Sequence, residues 1–252
     1  MSFALTFLGT GDARRVPVYG CTCPACCRAQ TQREYRREAC SAVLEAEGYQ
    51  LLLDAGRTNL CERFPPGELQ TILLTHYHMD HVMGLFHLRW GTGTTIPVFG
   101  PLDEKGCDDL YKHPGILDFR PALDAFERIT IGPFAITPLP LIHSRPVFGY
   151  CIEQSGHRLA YLTDTVGLPE STLSWLQDNP PDVLVLDCSM PPKPETPRNH
   201  NDLNLALELV SQISPETTYL THIGHQLDAY LMAEPVLPDN VYLAMDGATL
   251  TF

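Results

Sequence analysis

The segment His76-Tyr77-His78-Met79-Asp80-His81 puts three imidazoles and a carboxylate into six residues. It follows the short apolar strand Thr71-Ile72-Leu73-Leu74, and Val82 to Trp90 then reads as a helix with Val82, Leu85, Phe86 and Leu88 facing inward. The segment therefore lies at a strand-to-helix turn, where alternate side chains can splay toward two metal ions rather than one. Three further candidates also follow apolar strands: His143 after Pro138 to Ile142, Asp164 after Leu159 to Thr163, and His222 after Tyr219 to Thr221. Each can project from a strand end into one cleft, and the Asp164 carboxylate can bridge both ions. That requirement, several strand ends meeting in a common cleft, restricts the fold more than any other feature of the chain.

The remaining pattern supplies such strands. Phe3, Leu5 and Phe7 alternate with Ser2, Ala4 and Thr6 in a first strand that ends at Gly9-Thr10-Gly11. Ser41 to Ala46 and Tyr49 to Leu53 flank Glu47-Gly48 as a hairpin, with Asp54 where its second strand ends. Further strands are read near Val98-Phe99 and over Ile129 to Ile136, Gly149 to Glu153, Leu159 to Leu162 and Val183 to Leu186. Pro169 and Glu170 open a helix that runs to Gln177, and Asp202 caps another whose Leu203, Leu207 and Val210 share a face. Thr218 to Thr221 is a strand ending at His222, and Val241 to Ala244 closes the second sheet. With no low-complexity tract, fixed repeat or long linker, residues 1–252 are expected to form one two-sheet domain with outer helices.

The nine cysteines cannot all pair within one chain. The N-terminus lacks a basic region and an apolar run of signal-peptide length, and no stretch approaches bilayer-spanning length, so the chain is expected to be cytoplasmic with its thiols reduced. Clustering of Cys21, Cys23, Cys26 and Cys27 then points to metal rather than to disulfides. Cys21-Thr-Cys23-Pro-Ala-Cys26 supplies three soft thiolates, and one imidazole would complete a tetrahedral zinc site. A net charge of −13, with 30 acidic against 17 basic residues, disfavours a long polyanionic partner and favours a small-molecule substrate over stable nucleic-acid binding.

The pattern HxHxDH is met without a mismatch, and His143, Asp164 and His222 follow in order. In this the chain resembles the metallo-β-lactamase superfamily. The resemblance implies an α/β fold, an αββα four-layer sandwich, with one ion held by His76, His78, His143 and Asp164 and the other by Asp80, His81, Asp164 and His222. It also makes Asp54 a support for the His loop.

Thr75-His-Tyr-His-Met-Asp-His81, the CxCxxC run, Gly106-Cys-Asp-Asp-Leu110 and Thr221-His-Ile-Gly-His225 look like the phosphoribosyl cyclic phosphate phosphodiesterases of the bacterial carbon-phosphorus lyase pathway. That resemblance implies His225 as fourth ligand of a structural Zn²⁺, and a catalytic pair of divalent ions, Mn²⁺ in the family, with Zn²⁺ or Fe²⁺ also suited to these ligands. It further implies a homodimer, and hydrolysis of 5-phosphoribosyl 1,2-cyclic phosphate to ribose 1,5-bisphosphate, with 2′,3′-cyclic nucleotides as further substrates. His200 is not needed as a helix cap, since Asp202 can serve, and the matching family histidine resembles a general acid protonating the leaving alkoxide. Asp80 would accept a proton from the attacking water while remaining a ligand. Asp12-Ala13-Arg14-Arg15 is more charged than the family pattern.

Other hydrolases of this fold are the main rivals. A tRNA 3′-end endonuclease should carry a basic RNA-gripping extension, which is missing, whereas a thioesterase of the glyoxalase type shares HxHxDH and differs by the Cys cluster and His200. A non-catalytic metal sensor would be expected to have lost ligands. Arg145 can contact a substrate phosphate or form a surface ion pair. His87, His113 and His157 lack a partner pattern and read as structural or exposed.

Overall fold

The computed structural model describes residues 2–195, 197–233 and 237–252. Alternating sequence becomes alternating burial: in β1 (Ala4–Gly9) Leu5 and Phe7 are buried while Ala4 and Thr6 are half-buried. Six more strands join it, β2 (Ser41–Ala46), β3 (Tyr49–Leu53), β4 (Leu69–Leu73), β5 (Ile96–Phe99), β6 (Leu117–Phe119) and, from the far end of the chain, β14 (Thr249–Thr251). Their order is β14-β1-β2-β3-β4-β5-β6, antiparallel as far as β3 and parallel from β3 to β6. The second sheet comprises β7 (Ile129–Ile131), β8 (Phe134–Pro140), β9 (Phe148–Gln154), β10 (His157–Leu162), β11 (Val183–Asp187), β12 (Thr217–Thr221) and β13 (Val241–Leu243), in the order β13-β12-β11-β10-β9-β8-β7. It is parallel from β10 to β13 and antiparallel elsewhere.

One core lies between the sheets, where Leu5, Phe7, Leu44 and Leu53 of the first meet Phe134, Ile152, Leu159 and Tyr161 of the second. The outer faces are covered by helices. Leu52 and Ile72 pack under α2 (Leu60–Arg63), α3 (Met79–Val82), α4 (Leu85–Leu88) and α5 (Asp108–Lys112). Ala160, Leu184 and Leu220 pack under α6 (Glu170–Asp178), α7 (Leu203–Ile213) and α8 (His225–Ala233). A further helix, α1 (Pro24–Thr31), packs beside α8. The layers thus run helix, sheet, sheet, helix, the metallo-β-lactamase fold expected from the sequence.

Parallel pairing has a functional consequence, because it brings the carboxyl ends of β3 and β4 to one edge of the first sheet and those of β10, β11 and β12 to one edge of the second. Residues just beyond them, Asp54, His76, Asp164 and His222, are all buried, as is Asp187 at the end of β11. β8 runs in the same direction as β10, so His143 emerges there too.

Two elements differ from the sequence expectation. The helix read over Val82 to Trp90 is two short helices, because Gly84 N–H donates to Ala55 O (2.8 Å) instead of continuing the helical ladder. Gly84 packs so closely that a Cβ there would lie 2.1 Å from Arg57 O. The strand read over Ile129 to Ile136 is the hairpin β7–β8, turned at Gly132-Pro133 with Gly132 at φ 56°. Gly84→Ala should therefore cost roughly 1–3 kcal/mol of stability through overpacking, read from urea denaturation; an unshifted midpoint would mean the 55–57 segment yields freely.

Candidate metal centre

The side chains at this edge are oriented by hydrogen bonds that leave their remaining nitrogens bare. Asp54 accepts from Thr75 N–H (2.8 Å), Thr75 Oγ1 (2.8 Å) and His81 Nδ1 (2.8 Å). With its hydroxyl proton given to Asp54, Thr75 Oγ1 can only accept from His76 Nδ1, 3.1 Å away. His143 Nδ1 donates to Asn199 O (3.0 Å), and Ser189 Oγ donates to His222 O (2.9 Å) while accepting from His222 Nδ1 (2.8 Å). In His76, His81, His143 and His222 the Nε2 atom is thereby directed into the cleft.

Two donor groups result, and a third set, Asp164, Asp187, His200 and His222, overlaps the second. His76 Nε2 and His143 Nε2 approach His78 Nδ1 to 2.9 and 3.0 Å. His81 Nε2 and His222 Nε2 face Asp80 Oδ2 at 3.5 and 3.6 Å, and face the Asp164 carboxylate at 3.1 and 3.4 Å. Asp164 Oδ1 lies 3.9 Å from His76 Nε2 and 3.7 Å from His143 Nε2, so one carboxylate stands between both groups. Within each group the donor atoms fall inside 4.8 Å of one another. His81 Nε2 and His222 Nε2 are buried and face only those carboxylates without a well-formed hydrogen bond, so the gap calls for a positive charge, a proton or a metal ion. The residues fit divalent metal.

Electrostatics agree with that fit. Burial drives His76 well below the ordinary imidazole range and lowers His78 and His143, so these three are neutral electron-pair donors. Burial acts the same way on His81 and His222 but is outweighed by carboxylates, Asp164 foremost: His81 is raised and His222 reaches about 10. Asp80 and Asp164, despite burial, are held below the usual carboxylate range by the same two imidazoles. Without an ion the cluster gathers protons in its place.

Backbone strain marks the same edge. Asp54, Asp164 and His222 have φ of 57°, 60° and 59°, the left-handed region, which costs about 1–3 kcal/mol per non-glycine residue. All three turn the chain sharply at a strand end.

His200 also lies here, its ring stacked on His222 (centroids 4.7 Å, 16°) and 5.0 Å from that of His143. Its Nδ1 donates to Asp187 Oδ2 at 2.7 Å, and Asp187 outweighs burial to raise its pKa. Asp187 and Ser189 are absent from the sequence reading. Asp187 carries the same signature as Asp164, a carboxylate closing an apolar strand, here Val183 to Leu186. Ser189 carries no such signal.

The second cluster is thiol-rich. Cys21 Sγ and Cys23 Sγ each lie 3.4 Å from His225 Nδ1, and the four donors with Cys26 fall within 4.8 Å. Ligands at zinc's usual bond lengths stand about 3.5 Å apart across a tetrahedron. Cys23 caps α1 by accepting from Cys26 N–H, while burial pushes the Cys26 thiol up to about 12, a preference that a bound cation would reverse. Cys27 is exposed, with Sγ on Thr22 O.

The other charged candidates have partners on the protein. Arg145 is engaged by Asp103 (2.9 Å), Tyr77 O (2.5 Å) and Gly106 O (3.2 Å). Arg14 and Arg15 pair with Asp12 and Glu38, and His157 with Asp182. His87 and His113 are exposed.

What the fold and these donors define is a metal-dependent hydrolase. The family follows from the chain itself: the family model described as the beta-lactamase superfamily domain matches residues 49–223, and the chain belongs to that family. A solved diphosphatase of the PhnP family superimposes with a TM-score of 0.85 over 100% of this chain and 98% of that one, at 26% identity. The probable metallo-hydrolase YhfI of Bacillus subtilis is 28% identical over 205 residues, 75% of this chain and 81% of its own. An octanoyltransferase of Porphyromonas gingivalis is 24% identical over 95% of this chain, which spans 50% of that protein's length.

Displacement of protons by metal is measurable. Titrating Mn²⁺ into chelator-stripped protein at pH 7.5, in two buffers of different ionisation enthalpy, should give heats that differ by about one to two released protons. Identical heats would contradict proton-loaded His81 and His222.

Proposed function

We propose that the chain hydrolyses a small phosphoric diester at this centre, with one ion on His76, His78, His143 and Asp164, the other on Asp80, His81, Asp164 and His222, and a structural Zn²⁺ on Cys21, Cys23, Cys26 and His225. The carrying observation is His200. Its Nδ1 is committed to Asp187, so Nε2, which has no hydrogen-bond partner among the described residues, is left to carry a proton beside both donor groups.

When bound, a divalent pair lowers the pKa of a water and neutralises charge gathering on the phosphoryl oxygens. The protein's own groups do the rest. Asp80, a carboxylate facing the second donor group, takes a proton from the attacking water. His200, kept cationic by Asp187, gives a proton to the departing alkoxide as the phosphorus–oxygen bond breaks. Asp187 acts through His200 as a positioning residue.

The substrate implied by resemblance is 5-phosphoribosyl 1,2-cyclic phosphate, opened to ribose 1,5-bisphosphate in phosphonate catabolism, with 2′,3′-cyclic nucleotides as further substrates. Mn²⁺ is the proposed catalytic metal, and Zn²⁺ or Fe²⁺ suit the same ligands. The cytoplasmic location and the homodimer rest on sequence and resemblance. The absence of stable nucleic-acid binding rests on the acidic charge. No helix of the described residues is long and apolar enough to cross a membrane.

A second reading is hydrolysis of a diphosphate, favoured by the diphosphatase activity of the PhnP-family neighbour. Its leaving group is a phosphate, which departs without a general acid. His200→Ala should lower kcat on 2′,3′-cyclic AMP by about 10²–10⁴-fold and on bis-p-nitrophenyl phosphate, whose phenolate needs no proton, by far less. Equal losses on both would remove His200 as acid. Faster turnover of ADP-ribose than of any cyclic diester, insensitive to His200→Ala, would select the diphosphate reading.

A further inference from the structure

Cys23-Pro24-Ala25-Cys26 stands across the start of α1: Cys23 caps the helix, its Sγ accepting from Cys26 N–H at 3.5 Å, and Pro24 follows in the first turn. Two cysteines separated by two residues at a helix N-terminus form a reactive dithiol, because the unpaired N–H groups there stabilise a thiolate. Cys23 is half-buried and reachable from solvent, Cys26 is fully buried one turn further in, and their Sγ atoms lie within 4.8 Å of one another. A disulfide spans about 2.0 Å between sulfurs, so side-chain rotation within the cluster can close the pair. Cys27, the remaining neighbour, directs its Sγ to Thr22 O at 3.4 Å.

The same cluster reaches the catalytic rim through three residues. His225, 3.4 Å from Cys21 Sγ and Cys23 Sγ, shares the segment 222–225 with His222, whose φ is 59°. The turn between them has no slack: Gly224 N–H donates to Ser189 O at 3.2 Å, and a Cβ on Gly224 would lie 2.5 Å from that oxygen. Ser189 is also the residue whose Oγ orients His222 Nδ1 (2.8 Å). His222 belongs to the second donor group alone, whereas His76, His78 and His143 of the first project from other strand ends.

Resting on the metal assignments of the reading above, we propose that Cys23 and Cys26 are an oxidation site for hydroperoxides, and that closing their disulfide weakens the second catalytic metal position. The Cys23 thiolate attacks one peroxide oxygen, the O–O bond breaks, and the far oxygen leaves with a proton from solvent. The Cys26 thiolate then attacks the Cys23 sulfur, the S–S bond forms, and the hydroxyl on that sulfur leaves as water after protonation. Two electrons pass from the sulfurs to the peroxide. Only Cys21 and His225 then remain for Zn²⁺, half of a tetrahedral set, and His225 no longer anchors the segment that carries His222.

The test treats the purified, Mn²⁺-loaded protein with hydrogen peroxide and reads zinc released to a chromogenic chelator, cysteine pairing by peptide mass, and Mn²⁺ affinities by calorimetry. Zinc should leave in step with a Cys23–Cys26 disulfide, and one of the two Mn²⁺ affinities should fall about 10–100-fold, recovering with dithiothreitol and Zn²⁺. Cys27→Ser should respond as the wild type does. His225→Ala keeps all three thiols, and should show the weakened affinity before any oxidant is added. Zinc retained under peroxide, pairing through Cys21 or Cys27, or two unchanged Mn²⁺ affinities after the disulfide has formed overturns the proposal. A disulfide and a weakened second position in protein that never held zinc uphold it and sink the zinc assignment. The expected metal results with no diester hydrolysed uphold it and sink the phosphodiesterase reading instead.

Discussion

Three carboxylates buried at one edge, Asp54, Asp164 and Asp187, set the terms for everything around them. A charge taken out of water costs several kcal/mol unless it is paired and hydrogen-bonded, and removing one partner of such a pair is severe. Each carboxylate therefore gathers its own company. Asp54 takes three donors from the His loop, Asp187 takes His200 and Thr165 N–H, and Asp164 takes Thr163 Oγ1 along with the imidazoles. Parallel pairing within each half of the sandwich delivers these groups to a common rim, and the interlocked core between the sheets holds the two rims in register. Function here is the fold's solution to a desolvation problem.

Much of that was legible in the chain. Runs such as Leu159 to Thr163 before Asp164 announce both a buried strand and a polar group at its end, and the density of His76 to His81 leaves little but metal as an explanation. Asp187 has the same local signature as Asp164, but a carboxylate at a strand end with no histidine-rich segment beside it does not distinguish itself from an ordinary buried polar residue. The broken helix after the motif was illegible for a different reason. Gly84's partner, Ala55, is far off in sequence, and periodicity cannot see a hydrogen bond leaving the helix. Likewise β14 pairs with β1 from the opposite end of the chain, a contact with no local trace. Gly132-Pro133 was visible as a turn, but the apolar residues on either side disguised two strands as one.

The thiol cluster is wired to the catalytic rim by more than proximity. His225 opens α8 three residues after His222, and Asp228 one turn later receives Arg28 from α1 and the fully buried Arg37. Arg37 in turn donates to Thr10 Oγ1 and Ala244 O, while Ile223 N–H donates to Thr10 O. Helix α1, helix α8, the loop after β1 and the end of β13 thus converge on the segment 222–225. Any ion holding the cysteines also restrains the backbone from which His222 projects.

Asp164's left-handed backbone carries an implication for descent. Asparagine shares aspartate's tolerance of that conformation, being among the few residues other than glycine that adopt it readily. One base change converts an aspartate codon into an asparagine codon. The turn at this strand end can therefore outlast the charge it carries, since a single base change removes the charge and leaves a residue that still favours the same backbone.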